Sequence, residues 1–195
     1  DARTNVYVRD TVLGTTVRVQ GPDGEPLGDA HSVDISDDGR YVAFVSDAAN
    51  LTPDDTNTAA DGFIADLDAD GNGTRGDVSV TRVVPDRSVP LGVAELVISG
   101  NGQRIAFLAR SPLGATDPAG FTDYLYRGSV AQAGTDFALV STDASEIDTS
   151  GSGEVIVYIS QTACPEPAVI AATYDSPYNY YVGVGRYLTD KRVGT

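Results

Sequence analysis

Residues 31–51, HSVDISDDGRYVAFVSDAANL, contain the pattern that decides the fold: a strand, a glycine turn and a second strand. The pattern returns as ELVISGNGQRIAFLARSPL at residues 95–113 and as IDTSGSGEVIVYISQ at residues 147–161. In each copy, a run of β-branched and aromatic residues follows a glycine-containing turn of the kind that joins antiparallel strands. The sequence therefore predicts three copies of one β-hairpin.

The turn glycines of the three copies set the length of the repeat. Gly39 and Gly102 lie 63 residues apart, and Gly102 and Gly153 lie 51 residues apart. With strand signals, a period of this size favours four-stranded propeller blades over helical solenoids. We therefore predict an all-β fold, a propeller-like array of antiparallel four-stranded blades. The alternative is a β-sandwich whose hairpins happen to be similar.

A resemblance to a known family supports the repeat. Residues 35–67, ISDDGRYVAFVSDAANLTPDDTNTAADGFIADL, resemble the TolB-type β-propeller repeat, in which a serine-aspartate-glycine turn precedes the second strand. In that family a loop rich in Asp and Asn leads to a third strand, which NVYVRD at Asn5–Asp10 resembles. The resemblance is strongest over residues 1–84, covers residues 92–141 less closely, and is weak after Gly153. It implies a propeller fold and little about activity, because propellers have many functions.

The repeats predict a single propeller-like domain over residues 1–195 with about three and a half blades. The units are a half blade at 1–28, blades at 29–90 and 91–142, and a diverged blade at 143–195. Propellers close with four to eight blades, and open strand edges are rare in natural proteins. We therefore expect a protein partner that supplies the missing strands, either by self-association, closed or as a filament, or within a longer parent chain.

The charge of the chain limits its partners. Asp and Glu number 28 against 13 Lys and Arg, which gives a formal net charge of −15. Nucleic acids and anionic membranes would be repelled, because both are bound through basic side chains. No apolar run reaches the roughly 20 residues that a membrane-spanning helix needs. From the absence of methionine and the single Cys164 we expect an exported protein, secreted or extracellular, with the periplasm as the alternative.

The segment DLDADGNGTRGD is the strongest candidate for a metal site. Its acids alternate, a glycine follows, and a further acid stands at the twelfth position, as in calcium-binding loops. Calcium prefers six to eight oxygen ligands, which carboxylates and a main-chain carbonyl at the seventh position would supply. The flanking sequences predict strands, so the loop would belong to a β-hairpin; a solvated polar turn is the alternative. The predicted calcium ligands are Asp66, Asp68, Asp70, Asn72 and Asp77.

A second acidic loop precedes the third strand of each full unit. In the first unit it contains Asp55, Asn57 and Asp61; the same spacing of six residues separates Asp117 and Asp123 in the next unit. One interpretation is a metal or polar-ligand site in each blade. The interpretation that we favour is that these acids cap the loop through hydrogen bonds to the local backbone.

The sequence offers little for catalysis and one candidate contact surface. His31 and Cys164 are the only residues of their types, and no nucleophile elbow or phosphate-binding loop is present. We therefore predict that the chain is not an enzyme. The C-terminal region is rich in tyrosine, and a tyrosine surface is typical of contacts with glycans or proteins. The residues proposed for that surface are Tyr178, Tyr180 and Tyr181.

Three functional hypotheses follow from these observations. The first is a non-catalytic, exported, calcium-binding module that acts through protein contacts as a structural, self-assembling or adhesive subunit. The second is a lectin-like module that binds carbohydrate or peptide through the tyrosine-rich segment. The third, which the sequence supports least, is an accessory part of a hydrolase.

Overall fold

The computed structural model describes residues 4–21, 28–53, 55, 57, 59–84, 92–135 and 137–160, and the backbone alone of 168–173 and 179–182. In these ranges the chain forms fourteen strands, one turn of 3₁₀ helix at Val130–Gln132 and no α-helix. The strands form four antiparallel sheets that do not close into a ring. The predicted all-β, propeller-like architecture with four-stranded antiparallel blades is confirmed.

Each sheet consists of strands that are consecutive in the chain. Sheet 1 has β1 (Tyr7–Arg9) and β2 (Thr16–Arg18); sheet 2 has β3 (Ala30–Ile35), β4 (Tyr41–Ser46), β5 (Asp61–Asp66) and β6 (Ser79–Arg82). Sheet 3 has β7 (Val93–Ile98), β8 (Arg104–Ala109), β9 (Tyr124–Ser129) and β10 (Phe137–Ser141). Sheet 4 has β11 (Ala144–Thr149), β12 (Val155–Ser160), β13 (Ala168–Thr173) and β14 (Asn179–Val182).

The repeated serine-to-glycine turn explains why the first two strands of each full sheet form a hairpin. In sheet 2 the Ser36 carbonyl accepts the Gly39 N–H at 2.7 Å, and the Ser36 hydroxyl oxygen accepts the Tyr41 N–H at 3.0 Å. Gly39 has φ = 67°, a left-handed conformation that glycine adopts without a steric penalty. Sheets 3 and 4 repeat the serine hydroxyl contact, at 2.9 Å from Arg104 N–H to Ser99 and 3.1 Å from Val155 N–H to Ser150.

The core consists of three layers of apolar side chains, one between each pair of neighbouring sheets. Successive residues of β4 point to opposite faces, so Phe44 packs towards sheet 1 while Val45 packs towards sheet 3. This explains why the middle of β4 is apolar at successive positions, as expected for a strand that is buried on both faces. The layer between sheets 3 and 4 includes Leu108, Ile147 and Tyr158.

Hydrogen bonds also connect the innermost strands and the turns of neighbouring sheets. The Asp37 N–H donates to the Gly100 carbonyl at 2.8 Å, and the Asn101 N–H donates to the Gly151 carbonyl at 2.7 Å. The hairpin turns of sheets 2, 3 and 4 are therefore connected at one end of the array by main-chain bonds. A cleft lies between sheets 2 and 3 near these turns.

Candidate functional site

The predicted calcium loop lies between β5 and β6, and its carboxylates bond to neighbouring protein groups. Asp66, at the end of β5, accepts two hydrogen bonds of 2.8 Å from the Arg40 guanidinium. The Arg40 guanidinium, followed by the Asp68 N–H, holds the pKa of Asp66 below its ordinary value. Both carboxylate oxygens of Asp68 lie 3.1 Å from the Gly73 N–H.

The outer part of the same loop is ordered by its own side chains. Asp70 accepts the Asn72 N–H at 3.1 Å, and the side-chain oxygen of Asn72 accepts the Thr74 N–H at 2.7 Å. Asp77 pairs with Asp68 through a single parallel β-bridge, and its carbonyl accepts the Ala69 N–H at 3.1 Å. Short-range bonds from Asp and Asn to backbone N–H groups are the usual way in which these residues stabilise a turn.

The structure thus brings the five predicted calcium ligands into one loop, each with a role in the hydrogen bonding of that loop. Among the described residues, no group of three or more His, Cys, Asp or Glu side chains has the geometry to hold a metal ion. Calcium binding at Asp66, Asp68, Asp70, Asn72 and Asp77 stays a prediction.

The second acidic loop, between β4 and β5, contains a buried ion pair. The Arg82 guanidinium, on β6, lies 3.0 Å from the Asp55 carboxylate and 3.5 Å from the Asp61 carboxylate. The side chains of Arg82, Asp55 and Asp61 are 4%, 3% and 1% exposed. Asn57 donates to Asp61 at 3.4 Å and accepts the Ala59 N–H at 2.6 Å. The arginine holds the loop against the outer strand, a role that the local sequence did not indicate.

The corresponding loop of sheet 3 has a different arrangement. Asp117 accepts a hydrogen bond from the Tyr126 hydroxyl at 2.5 Å and from the Gly114 N–H at 2.7 Å. Asp123 accepts only the neighbouring Thr122 hydroxyl, at 3.0 Å, among the bonds of this loop that the structure describes. Asp117 and Asp123, which the sequence analysis assigned to one site, therefore bind different groups.

Strand register explains why the equal spacing was misleading. In sheet 2 Asp61 pairs with Ser46, which is the tenth residue after the turn serine Ser36. In sheet 3 the tenth residue after the turn serine is Ala109, and it pairs with Tyr124. Tyr124 is thus the counterpart of Asp61, and Asp123 lies one residue before the strand. The equivalence of Asp61 and Asp123 that was inferred from spacing is corrected by this register.

The proposed tyrosine surface is described only in part. Tyr180 and Tyr181 lie on β14, the last strand of sheet 4, where their backbones pair with Ala171 and Ile170. Tyr178 lies outside the described residues. The glycan or partner surface stays a prediction.

A cleft of about 750 Å³ lies between sheets 2 and 3, next to the predicted calcium loop. One wall is the face of sheet 2 that carries Tyr41, Asp66, Ser79 and Thr81. The opposite wall is the hairpin turn of sheet 3 and the segment that follows β9, with Asn101, Gln103, Arg104 and Ser129. Hydroxyl, amide, carboxylate and guanidinium groups thus line the cleft and offer both donors and acceptors.

The fold is similar to solved β-propellers, although comparison of the sequence alone finds no related family or curated protein. No protein-family model and no curated protein matches the sequence. TolB from Acinetobacter baumannii matches 94% of this chain over 49% of its own, at 14% identity and a TM-score of 0.54.

Two protease structures match equally well. The β-propeller domain of the Trilobed protease from Pyrococcus furiosus matches 91% of this chain over 48% of its own, at 10% identity and a TM-score of 0.54. The tricorn protease matches 89% of this chain over 16% of its own, at 14% identity and a TM-score of 0.54. The chain thus spans less than half the length of these structures, and the likeness shows a TolB-type propeller-like fold. No helix of the described residues is long and apolar enough to cross a membrane.

Proposed function

We propose that the chain is a non-catalytic β-propeller module that acts by binding a segment of another protein in the cleft between sheets 2 and 3. The observation that carries the proposal is the cleft itself, whose walls combine an aromatic ring with hydroxyl, amide and charged groups. Such a lining suits an extended polar peptide, which presents its own donors and acceptors along its length. The single histidine, His31, is the one imidazole that could act as the base of a Ser-His-Asp or Cys-His arrangement.

The position of β6 at the edge of sheet 2 supports an extended ligand. Ser79 and Thr81 are both exposed and lie two residues apart on β6, so they face the same side of the strand. β6 is the last strand of sheet 2, and in the described residues it pairs with β5 alone. A peptide that enters the cleft therefore meets a row of hydroxyl groups along the open edge of a sheet, a surface to which extended segments bind.

The test of this function is a selection of peptides against a cleft-blocked variant. A displayed peptide library is selected on the wild-type chain, and each selected peptide is measured by fluorescence anisotropy against wild type, Thr81→Arg and Thr11→Arg. Thr81→Arg places a long side chain in the cleft, whereas Thr11→Arg makes the same change in the exposed β1–β2 turn. We expect Thr81→Arg to weaken binding at least tenfold and Thr11→Arg to leave it unchanged. Equal binding to all three proteins would contradict the proposal.

The proposed module also includes calcium binding at the β5–β6 loop and export from the cytoplasm. If calcium binds the folded loop, the melting temperature should rise with added calcium chloride and fall again with chelator, because a ligand of the folded state stabilises it by mass action. Asp70→Ala should remove the calcium-dependent shift, while Asp47→Ala, an exposed acid on another loop, should retain it. A wild-type melting temperature that is the same with and without calcium would contradict calcium binding. Fractionation of producing cells tests whether the protein is exported.

A further inference from the structure

The dipeptide Asn-Gly occurs twice in the chain, at Asn72–Gly73 in the β5–β6 loop and at Asn101–Gly102 in the hairpin turn of sheet 3. In such a dipeptide the glycine nitrogen can attack the carbonyl carbon of the Asn side chain, because glycine has no Cβ to crowd the approach. The products are a five-membered succinimide and ammonia, and water then opens the succinimide to aspartate or isoaspartate. The chain thus places the same reactive pair in two different settings.

The side-chain carbonyl has a similar environment at both positions. The Asn72 Oδ1 accepts the Thr74 N–H at 2.7 Å, and the Asn101 Oδ1 accepts the Gln103 N–H at 3.0 Å. A donor at this oxygen stabilises the negative charge that develops there when the carbon is attacked. Because both side chains have this donor, it favours the reaction at either position and does not distinguish them.

The attacking nitrogen has different partners at the two positions. The Gly73 N–H lies 3.1 Å from each oxygen of the Asp68 carboxylate, whereas the Gly102 N–H donates to the Ser99 carbonyl at 2.8 Å. The nitrogen must lose this proton when it bonds to carbon. A carboxylate within hydrogen-bonding distance can accept the proton, whereas a main-chain carbonyl is much too weak a base. The Gly73 nitrogen is therefore the better placed nucleophile.

The space around the two glycines also differs. A Cβ built on Gly73 would have no heavy atom within 4 Å, but one built on Gly102 would lie 2.7 Å from the Tyr41 ring. Gly73 is exposed and Gly102 is buried. Closure of the succinimide ring rotates the peptide group between Asn and Gly, so it needs free space beside the glycine. That space exists at Gly73, whereas at Gly102 the Tyr41 ring would have to move.

The side-chain nitrogen, which leaves as ammonia, is held by different parts of the fold. The Asn72 Nδ2 donates to Asp70 of its own loop at 2.5 Å. The Asn101 Nδ2 donates to the Ser152 carbonyl at 3.0 Å, and the Asn101 N–H donates to the Gly151 carbonyl at 2.7 Å. Reaction at Asn101 would therefore break a contact between sheets 3 and 4, whereas reaction at Asn72 disturbs one exposed loop.

We propose that Asn72 is a self-modification site of the folded chain, at which the side-chain amide is converted to a carboxylate, and that the fold protects Asn101 from the same reaction. The Gly73 nitrogen bonds to the Asn72 Cγ as its proton passes to Asp68. The bond from Cγ to Nδ2 then breaks, and the nitrogen keeps the electron pair, takes the proton and leaves as ammonia. One water molecule hydrolyses the succinimide to aspartate or isoaspartate. The product adds one negative charge to a loop that already contains four aspartates.

The test is to age the purified full chain at neutral pH, with a chelator present, and to follow both positions by peptide mapping with mass spectrometry. Mass separates Asn from its products, and retention time separates aspartate from isoaspartate. We expect Asn72 to react at least about tenfold faster than Asn101 in the folded chain, and the two to react at similar rates in urea. Asn72→Gln should remove most of the ammonia released by the folded chain, because a glutamine side chain would have to close a six-membered ring.

A substitution of the proton acceptor tests the assigned step. Asp68→Asn should slow the reaction of Asn72 at least about tenfold, and Asp47→Asn, in another loop, should leave it unchanged. Continued protection of Asn101 in each variant shows that the sheets are still folded.

Three results would overturn the inference: equal rates at Asn72 and Asn101 in the folded chain, a faster reaction of Asn72 in urea than in the folded chain, or an unchanged rate in Asp68→Asn with Asn101 still protected. None of these measurements involves a ligand of the cleft, so the inference stands or fails independently of the proposed function.

Discussion

Sheets 2 and 3 share a strand order and a hairpin turn, but different side chains hold the carboxylates of their long loops. In sheet 2 the loop before the third strand is held by a buried arginine between two carboxylates. In sheet 3 the corresponding loop is held by a tyrosine hydroxyl that donates to one carboxylate and accepts the Leu113 N–H at 2.8 Å. In both sheets the loop before the third strand is therefore anchored through an Asp carboxylate, but the side chain that binds this carboxylate differs.

The same contrast appears at the end of the third strand. Asp66 of β5 and Ser129 of β9 are at equivalent positions, because Asp66 pairs with Tyr41 and Ser129 pairs with Arg104, each the fifth residue after its turn serine. Sheet 2 has the Arg40–Asp66 ion pair there, and sheet 3 has Gln103 and Ser129. The two loops of sheet 2 thus rely on arginine–carboxylate ion pairs, whereas the long loop of sheet 3 relies on a tyrosine hydroxyl that donates to the Asp117 carboxylate.

The largest expected effect is the loss of the buried arginine. Arg82→Met would leave the Asp55 and Asp61 carboxylates buried without their guanidinium, and breaking a buried pair in this way costs about 3–5 kcal/mol. The free energy of unfolding, measured by urea titration, checks it. Arg110→Met, at an exposed site with the same change of residue, should cost less than about 0.5 kcal/mol.

A second substitution sharpens the result. If the cost comes from uncompensated charge, Asp61→Asn in the Arg82→Met background should recover part of the lost stability, because it removes one buried carboxylate. Asp61→Asn alone should destabilise the wild type. Additive effects of the two substitutions would show that the pair is not coupled and would contradict the assignment.

A smaller effect is expected at the tyrosine of sheet 3. Tyr126→Phe removes a donor to Asp117 and an acceptor of the Leu113 N–H, and loss of such a buried contact costs about 1–3 kcal/mol. Desolvation, followed by the hydrogen bond to Asp117, raises the pKa of Tyr126, so the hydroxyl keeps its proton at neutral pH. Urea unfolding of Tyr126→Phe beside the exposed Tyr7→Phe isolates this contact; equal stability of the two variants would refute it.

The sequence predicts what is local and misses what depends on register. The Ser36-to-Gly39 turn and the strand that follows are encoded within a few residues, so the hairpins and the all-β class were predicted. The contact of Asp61 with Arg82 spans 21 positions and depends on how β5 pairs with β6, where Phe63 faces Arg82. No spacing rule for acids alone points to an arginine on the outer strand.

The acidic residues show the same limit in another form. Alternating Asp residues in a glycine-rich loop predict a cation site and an ordered turn equally well, because both use the same short oxygen-bearing side chains. The contact that distinguishes Asp66 from its neighbours is the guanidinium of Arg40, which is 26 residues away in the sequence and across the β4–β5 pair. Such a contact is seen only when the strands are in register.

The smallest expected effect is a dependence on pH that only the charged pair of sheet 2 should show. The Arg40 guanidinium and the Asp68 N–H lower the pKa of Asp66 from its ordinary value of 3.8. A carboxyl whose pKa is lowered by folding contributes stability above its unfolded pKa, and this contribution is lost as the pH falls through the folded pKa. Arg40→Gln should therefore lower stability by a constant amount above about pH 5, and the difference from wild type should shrink below about pH 4.

Urea titrations across this range measure the difference, with Arg110→Gln as the matched control, whose difference from wild type should stay flat. The direction in which the stability difference changes with pH tests the assignment. Arg40 contacts an ionisable carboxylate, Asp66, in sheet 2, whereas Ser129 at the same position of sheet 3 carries no charge. A difference that grows as the pH falls would mean that Arg40 acts on a group other than Asp66. A flat difference would mean that Arg40 stabilises the hairpin through its contact with the Tyr41 ring, 5.0 Å from the guanidinium carbon, rather than through the Asp66 carboxylate.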